Sequence, residues 1–274
     1  MSTPSGAPVP SESDLTYGSY LRVPELLSLQ TCRSVDPATG EPEHDETLFI
    51  VIHQVYELWF KELLHELDSV VALLDGDEVD AARHRLKRVL KVLKTLVGQV
   101  DVLETMTPAE FAGFRSFLAA ASGVQSVQFR ELEFLLGTKD RVRLDWFDGD
   151  EGERLRRRHE APTLWDAYVH LLARVGYNVP PSVLGRDVRD PIEEDEAVQA
   201  TIVASSAEPR FAGLGETLPD LDEGLQEWRY RHVMMVRRTI GTKPGTGGSD
   251  GAAYLATTLF HPAFPDLWAI RTAF

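Results

Sequence analysis

A histidine stands in the middle of an otherwise apolar stretch, FIVIHQVYELWFK, which runs from Phe49 to Lys61. The apolar residues recur at helical spacing, so Phe49 and His53 project from one face of a helix, one turn apart. A lone histidine on such a face is typical of a hydrogen-bonded core residue. From these residues alone, a chemical role for His53 stays open.

A second histidine lies in WRYRHVMMVRRTIG, where Trp228, His232 and Met235 fall at positions i, i+4 and i+7 of one helix. This spacing suits a core residue, and it also suits an axial haem ligand held against an apolar pocket wall. The sequence has no Cys-x-x-Cys-His motif, so any haem would be held without a covalent bond. The other histidines lie among charged or loop residues and are not predicted to be ligands: His44, His65, His84, His159, His170 and His261.

Arg115 and a glycine-rich loop are further candidates for ligand contacts. Arg115 lies four residues after Phe111 on a predicted helix, either as a surface arginine or as a fork that binds a carboxylate bidentately. The loop GTKPGTGGSDG, residues 241–251, fails the spacing of a phosphate-binding P-loop. It is either a mobile linker or a lid that presents the Thr246 hydroxyl and backbone N–H groups to a ligand.

Long amphipathic helices must position these residues. The apolar periodicity predicts helices from Asp45 to Leu74, from about Val79 to Leu103, from a capping box at Thr107 on to Leu136 with a loosening near 121–123, over 162–177, and from about Leu221 to Ile240. Residues 15–30 predict short helical pieces, 138–160 an irregular charged segment, and the C-terminus a shorter helical tail. No alternating strand pattern occurs, so the sequence predicts one all-α domain over 15–274.

Composition limits the possible partners. The 274 residues include 28 Lys and Arg against 43 Asp and Glu, a formal charge of −15, which disfavours nucleic acid and anionic membranes. A single cysteine, Cys32, suits a reducing cytoplasm. Residues 1–14 are rich in Pro and Ser and predict a disordered tail rather than a signal peptide. No apolar run reaches the roughly 20 residues of a membrane span.

Six motifs together resemble a known family: LTYGSYL, FIVIHQVYELWFKELLHEL, VLETMTPAEFAGFR, SGVQSVQFRELEFLLG, WRYRHV and RTIGTKPGTGGSDG, in this order. Through them the chain resembles the bacterial tryptophan 2,3-dioxygenases from about residue 14 to the C-terminus. The resemblance implies an all-α homotetramer with one non-covalent haem b per subunit, active as Fe(II). It also implies insertion of both atoms of O₂ across the indole C2–C3 bond of L-tryptophan, giving N-formylkynurenine at the start of the kynurenine pathway.

The resemblance implies roles for the residues around the indole ring. His232 would be the axial ligand of the haem iron. His53 would accept a hydrogen bond from the indole N–H and orient the ring, while Phe49 and Phe111 would wall it. Many relatives carry Tyr where this chain has Phe111, so a hydroxyl near the substrate carboxylate is missing here.

The resemblance also implies contacts to the two charged groups of the amino acid. Arg115 would pair with the carboxylate, and Thr246 would meet the ammonium group as the glycine-rich loop closes. Tyr17, Tyr20 and Leu21, in LTYGSYL, would complete the pocket of a neighbouring subunit.

Two other functions stay open at this point. The same scaffold suits a haem monooxygenase that makes a 2-oxindole from tryptophan or a substituted tryptophan. A non-catalytic haem sensor or carrier is the alternative from another class, although Arg115 and Thr246 suit an amino-acid zwitterion better than a carrier.

Overall fold

The computed structural model describes residues 15–139, 143–248 and 250–274, which form α-helices, short 3₁₀ turns and loops without a β-strand. This confirms the predicted all-α class, while the predicted disordered tail, 1–14, lies outside the described residues. In chain order the α-helices are α1 (Tyr17–Leu21), α2 (Val23–Leu26), α3 (His44–Asp75), α4 (Val79–Leu103), α5 (Pro108–Arg115), α6 (Val127–Leu135), α7 (Gly149–Glu160), α8 (Leu164–Arg174), α9 (Pro181–Leu184), α10 (Glu196–Ser205), α11 (Pro209–Ile240), α12 (Ala252–Ala256) and α13 (Pro265–Ala269).

Three long helices form the frame of the molecule. Helix α3 packs on α4, and α4 packs in turn on α11. Leu67 of α3, Leu86 of α4 and Leu218 of α11 are fully buried in the apolar core where these helices meet. Full burial of a leucine side chain contributes roughly 1.5–3 kcal/mol. Helices α3 and α4 begin and end within one residue of the predicted bounds.

The helix predicted from Thr107 to Leu136, with a loosening near 121–123, is instead two helices with a break around that point. Its start is confirmed, because the Thr107 hydroxyl accepts from the Glu110 N–H and the Glu110 side chain accepts from the Thr107 N–H. The helix ends at Arg115, and after a 3₁₀ turn the backbone of Ala119 adopts a positive φ of 49°. A new cap, Ser126, then starts α6. The segment between the two helices is therefore a loop.

The last long helix begins earlier than predicted. Helix α11 starts at Pro209 and continues through Pro219 instead of starting near Leu221. A proline removes one helical hydrogen bond, but Leu218 and Leu221 beside it are buried in the core. Packing on both sides of Pro219 therefore holds the helix together.

The charged segment predicted to be irregular contains helix α7. Only Gly152 and Leu155 of this helix are buried, so the sequence carries almost no apolar stripe. Acidic residues occupy its first turn and basic residues its last, an order that complements the helix dipole. Among the described helices, none combines the length and the apolar character that a bilayer span requires.

Candidate functional site

The predicted site residues of the main domain meet at one cavity between α3, α5, α11 and the loops that follow α5 and α11. Six of them lie on its wall: Phe49, His53, Phe111, Arg115, His232 and Thr246. They come from four separate stretches of the chain, and the helices described above bring them together. The other histidines are not among the residues that line this cavity.

His53 is held in one orientation by its own helix. Its Nδ1 lies 2.7 Å from the carbonyl oxygen of Phe49, one turn earlier. A carbonyl only accepts, so Nδ1 carries the hydrogen and Nε2 keeps a free lone pair. Desolvation by the surrounding protein lowers the pKa of His53 below its usual value. The hydrogen bond to the Phe49 carbonyl and the charge of Glu57 act in the opposite direction. His53 is therefore a neutral hydrogen-bond acceptor at neutral pH.

His232 faces the same cavity from α11. Burial, together with smaller effects of His53 and Arg130, lowers its pKa to about 4. A neutral imidazole is the form that binds a metal ion. The two histidines thus offer different chemistry to one cavity: His232 suits a metal ligand, and His53 suits a hydrogen-bond acceptor.

Aromatic rings form the wall beside His53. The Phe49 ring lies 4.1 Å from the His53 ring and 5.9 Å from that of Phe111, measured between centroids. Phe114, fully buried beneath them, meets Phe111 edge to face at 84°. These spacings are those of packed aromatic pairs, so the wall is rigid and apolar. It suits a planar ring.

Arg115 and Thr246 tie the glycine-rich loop over the cavity. Arg115 donates from Nη2 to the carbonyl oxygen of Pro244 at 2.5 Å, and the Thr246 hydroxyl donates to the carbonyl oxygen of Ala121 at 2.6 Å. Gly247 is required here, because a Cβ would stand 2.7 Å from the Cβ of Ser122. The loop is a lid that the two predicted ligand contacts themselves hold in place.

A buried charge cluster on the cavity wall was missed by the sequence reasoning. The Glu133 carboxylate lies between two guanidinium groups, 2.7 Å from Arg130 and 2.9 Å from Arg229. The three side chains carry a net charge of +1, and Arg130 Nε is buried without a hydrogen-bond partner within the described residues. Such a cluster attracts an anion. The available signal was an arginine and a glutamate three apart in the apolar VQFRELEFL.

The N-terminal candidates do not reach the cavity of their own chain. Tyr17 and Tyr20 on α1 are 78% and 74% exposed, and Leu21 is also exposed. None of the three lines the cavity. Within the described residues, helix α1 has a capping box at Thr16 and packs mainly on α2. Their role in a neighbouring subunit stays a prediction.

The cavity suits a flat prosthetic group that is apolar in the middle and anionic at its edge. His232 offers a neutral axial nitrogen, the aromatic and aliphatic side chains offer an apolar wall, and the Arg130 cluster offers a cation for carboxylates. The donor set matches a non-covalent haem. The all-α fold and these residues suit a haem-binding protein, and the aromatic wall beside His53 suits a second, planar ligand.

Comparisons with known proteins give the family. The sequence model of the family described as Tryptophan 2,3-dioxygenase matches residues 1–177 and 192–274. The chain is 54% identical to the tryptophan 2,3-dioxygenase of Herpetosiphon aurantiacus, over 94% of this chain and 97% of that protein. It is 53% identical to the enzyme of the same name from an Anaeromyxobacter species and 47% identical to that of a Nocardioides species, each over at least 94% of both chains. The chain belongs to the tryptophan 2,3-dioxygenase family.

Proposed function

We propose that this protein is a haem-dependent dioxygenase that cleaves the indole C2–C3 bond of L-tryptophan with O₂ and releases N-formylkynurenine. The observation that carries the proposal is the pair of neutral histidines on one apolar cavity, with Arg115 and Thr246 at its lid. Membership of the family supports the same reaction. The haem, when bound as haem b with Fe(II), supplies O₂ binding and oxygen transfer.

The protein's first contribution is to orient the indole ring. The free lone pair of His53 Nε2 accepts the indole N–H, while Phe49 and Phe111 hold the ring from the sides. An N–H group that is buried without a hydrogen-bond partner costs free energy, because it loses its hydrogen bond to water. The acceptor on His53 replaces that bond, and a ring without an N–H would leave the acceptor without a partner. Holding the reacting atoms close lowers the barrier by avoiding a search for the right orientation.

The second contribution is to hold the zwitterion. The substrate carboxylate displaces the Pro244 carbonyl from the Arg115 guanidinium, which offers a stronger, charge-assisted pair to an anion. The Thr246 hydroxyl donates its hydrogen to the carbonyl oxygen of Ala121. The lone pairs of the hydroxyl oxygen are therefore free to accept from the substrate ammonium. Substrate binding and closure of the lid over the cavity therefore use the same two side chains.

His232 and the arginines of the buried cluster would hold the haem. His232 would ligate the iron, and the +1 charge of the Arg130, Glu133 and Arg229 cluster would neutralise the haem carboxylates. The apolar wall would exclude water from the cavity. These residues would bind and orient the group.

The proposal extends to the oligomer, the domain organisation, the cellular compartment and the metabolic pathway. Tyr17, Tyr20 and Leu21 complete the pocket of a neighbouring subunit in a homotetramer, which explains why α1 leaves two aromatic rings in water. Residues 15–274 form one domain, consistent with a core shared by the long helices. The protein acts in the cytoplasm, and tryptophan catabolism by the kynurenine route is its pathway.

The two alternative functions have less support. A monooxygenase that makes an oxindole would suit the same cavity, but the compared relatives are each named as dioxygenases. A haem sensor without turnover would gain nothing from Arg115 and Thr246 at the lid.

Replacement of His232 tests the proposal. His232→Ala is expected to fold, because the ring faces a cavity, but to carry little haem and to lose both the Soret band and activity towards L-tryptophan. His170→Ala is the matched control, since His170 lies on helix α8 and contacts the Leu184 carbonyl outside the cavity. A His232→Ala protein with normal haem content would refute the ligand assignment.

A further inference from the structure

The Trp228 ring lies against the ring of His232. The two residues are one helical turn apart on α11, their planes differ by 10°, and their centroids are 5.1 Å apart. This is an offset parallel stack. Trp228 therefore packs against part of one face of the imidazole.

No hydrogen bond holds the His232 ring within the part of the chain that the structure describes. An axial histidine usually donates its second N–H to a carboxylate, a carbonyl or water, which fixes the ring's orientation. His53, by contrast, has the Phe49 carbonyl as such a partner. The protein groups around His232 leave its orientation to packing.

Trp228 itself has no freedom to turn. Its ring lies 4.9 Å from that of Phe129, and Phe60 and Tyr56 meet it edge-on at 85° and 69°. Only 9% of the residue is exposed. These three surrounding rings therefore hold the Trp228 ring fixed where it contacts His232.

We propose that Trp228 is the positioning residue of the axial histidine, and the inference rests on the proposed role of His232. The torsion about the Cβ–Cγ bond of histidine is broad, so an unsupported imidazole rotates easily. The parallel Trp228 ring blocks that rotation and sets the plane in which His232 meets the iron. Trp228 would act on the iron through His232.

The test compares Trp228→Phe and Trp228→Leu with the unchanged holoenzyme. The iron–histidine stretching band of the ferrous protein, by resonance Raman spectroscopy, reports ligand orientation directly. Transfer of haem to apomyoglobin reports how firmly the ligand is held. Trp165→Phe is the matched control, because Trp165 is a buried tryptophan stacked on Phe264 away from the cavity.

Trp228→Leu is expected to broaden and shift the band and to speed haem loss by about two- to tenfold, the range of one aromatic pair. Trp228→Phe, which keeps a smaller stack, is expected to shift the band less, and it carries the test alone if the leucine variant does not fold. The control should match the unchanged protein. A normal band in the variants would overturn the proposal for Trp228. If the unchanged protein itself lacked an iron–histidine band, the assignment of His232 would fail first and this inference with it.

Discussion

His53 and Arg115 are placed by contacts to backbone carbonyls rather than to other side chains. The Phe49 carbonyl fixes the tautomer of His53, and the Arg115 guanidinium donates to the Pro244 carbonyl, which a substrate carboxylate is proposed to replace. Both acceptors are backbone atoms, which every residue type supplies. Specificity at this scale therefore lies in which atoms are left free: a lone pair on His53 and a guanidinium fork on Arg115.

Arg115→Leu is expected to lower kcat/KM for L-tryptophan at least roughly tenfold, because a charge-assisted pair in a dry pocket contributes on the order of 1.5–3 kcal/mol. Arg115→Lys should recover only part of the loss, since lysine keeps the charge but not the fork. Steady-state kinetics provide the measurement.

Tryptamine separates the two roles of Arg115. It lacks the carboxylate, so its turnover should fall much less than that of L-tryptophan. Arg115 also holds the lid through Pro244, and loss of that contact alone would affect both substrates alike. Equal losses for the two would show that Arg115 only closes the lid.

At the scale of elements, the decisive feature is the break between α5 and α6. Ser122, Gly123 and Val124 in this break line the cavity, and the lid docks on them. Apolar periodicity continues across the break, which is why a single helix was predicted. The local caps at Ser122 and Ser126 end that continuity, and their effect on the chain path depends on the lid that packs against them.

The predictable parts of the molecule are those with an apolar stripe or a distinctive motif. Helices α3 and α4 follow directly from their stripes, and His53, His232, Arg115 and Thr246 follow from motifs of the family. Helix α7 was not predicted because almost none of its residues is buried, so its sequence shows no apolar stripe. The Arg130 cluster was not predicted because Arg229 joins it from α11, far away in the sequence. The four-residue spacing of Trp228 and His232 is visible in the sequence, but the rings that enclose Trp228 come from α3 and α6.

Helix α1 is expected to act in a neighbouring subunit. The double variant Tyr17→Ala and Tyr20→Ala should lose activity, since α1 brings both rings to the partner's pocket, while Trp146→Ala, another exposed aromatic, should not. Co-expression of this double variant with the Arg115→Leu variant then distinguishes an α1 that acts in a neighbouring subunit from an α1 that acts in its own chain. Mixed oligomers would combine an intact arm with an intact pocket and regain about a quarter of normal activity under random mixing. Absence of any recovery would place α1 with its own chain.

At the scale of the whole molecule, a buried cation links three segments. Lys139, 2% exposed, follows α6 and donates to the carbonyl oxygens of His159 at 2.8 Å and Ala161 at 2.6 Å, at the end of α7. Burial lowers its pKa from 10.5 to about 8, while the Asp166 charge partly opposes this. Folding therefore disfavours the charged form of Lys139 relative to the unfolded chain, although the side chain is still mostly protonated at pH 7.

The unfolding free energy is expected to rise with pH above about 8. Between pH 8 and the unfolded pKa of 10.5, the unfolded chain binds a proton at Lys139 that the folded chain does not, so stability increases. From pH 7 to 9.5 the gain is about 2 kcal/mol at about 1.4 kcal/mol per pH unit. Denaturant unfolding should give a flatter dependence of the unfolding free energy on pH for Lys139→Met.

The range stops at pH 9.5 because of Tyr56, whose pKa is raised by burial to about 12. Its titration opposes the trend above pH 10. A falling profile for the unchanged protein would contradict this account.

We expect the cavity to hold the indole ring at both ends while two oxygen atoms are transferred. His53 would hold the indole N–H, and Arg115 and Thr246 would hold the zwitterion, so the ring would have little freedom to leave between the two transfers. Reduced holoenzyme incubated with L-tryptophan under ¹⁸O₂, quenched promptly and analysed by mass spectrometry, tests this most directly. The account predicts a product about 36 mass units heavier than L-tryptophan, with both labelled atoms retained. A main product with one labelled oxygen, formed only when a reductant is added, would contradict it.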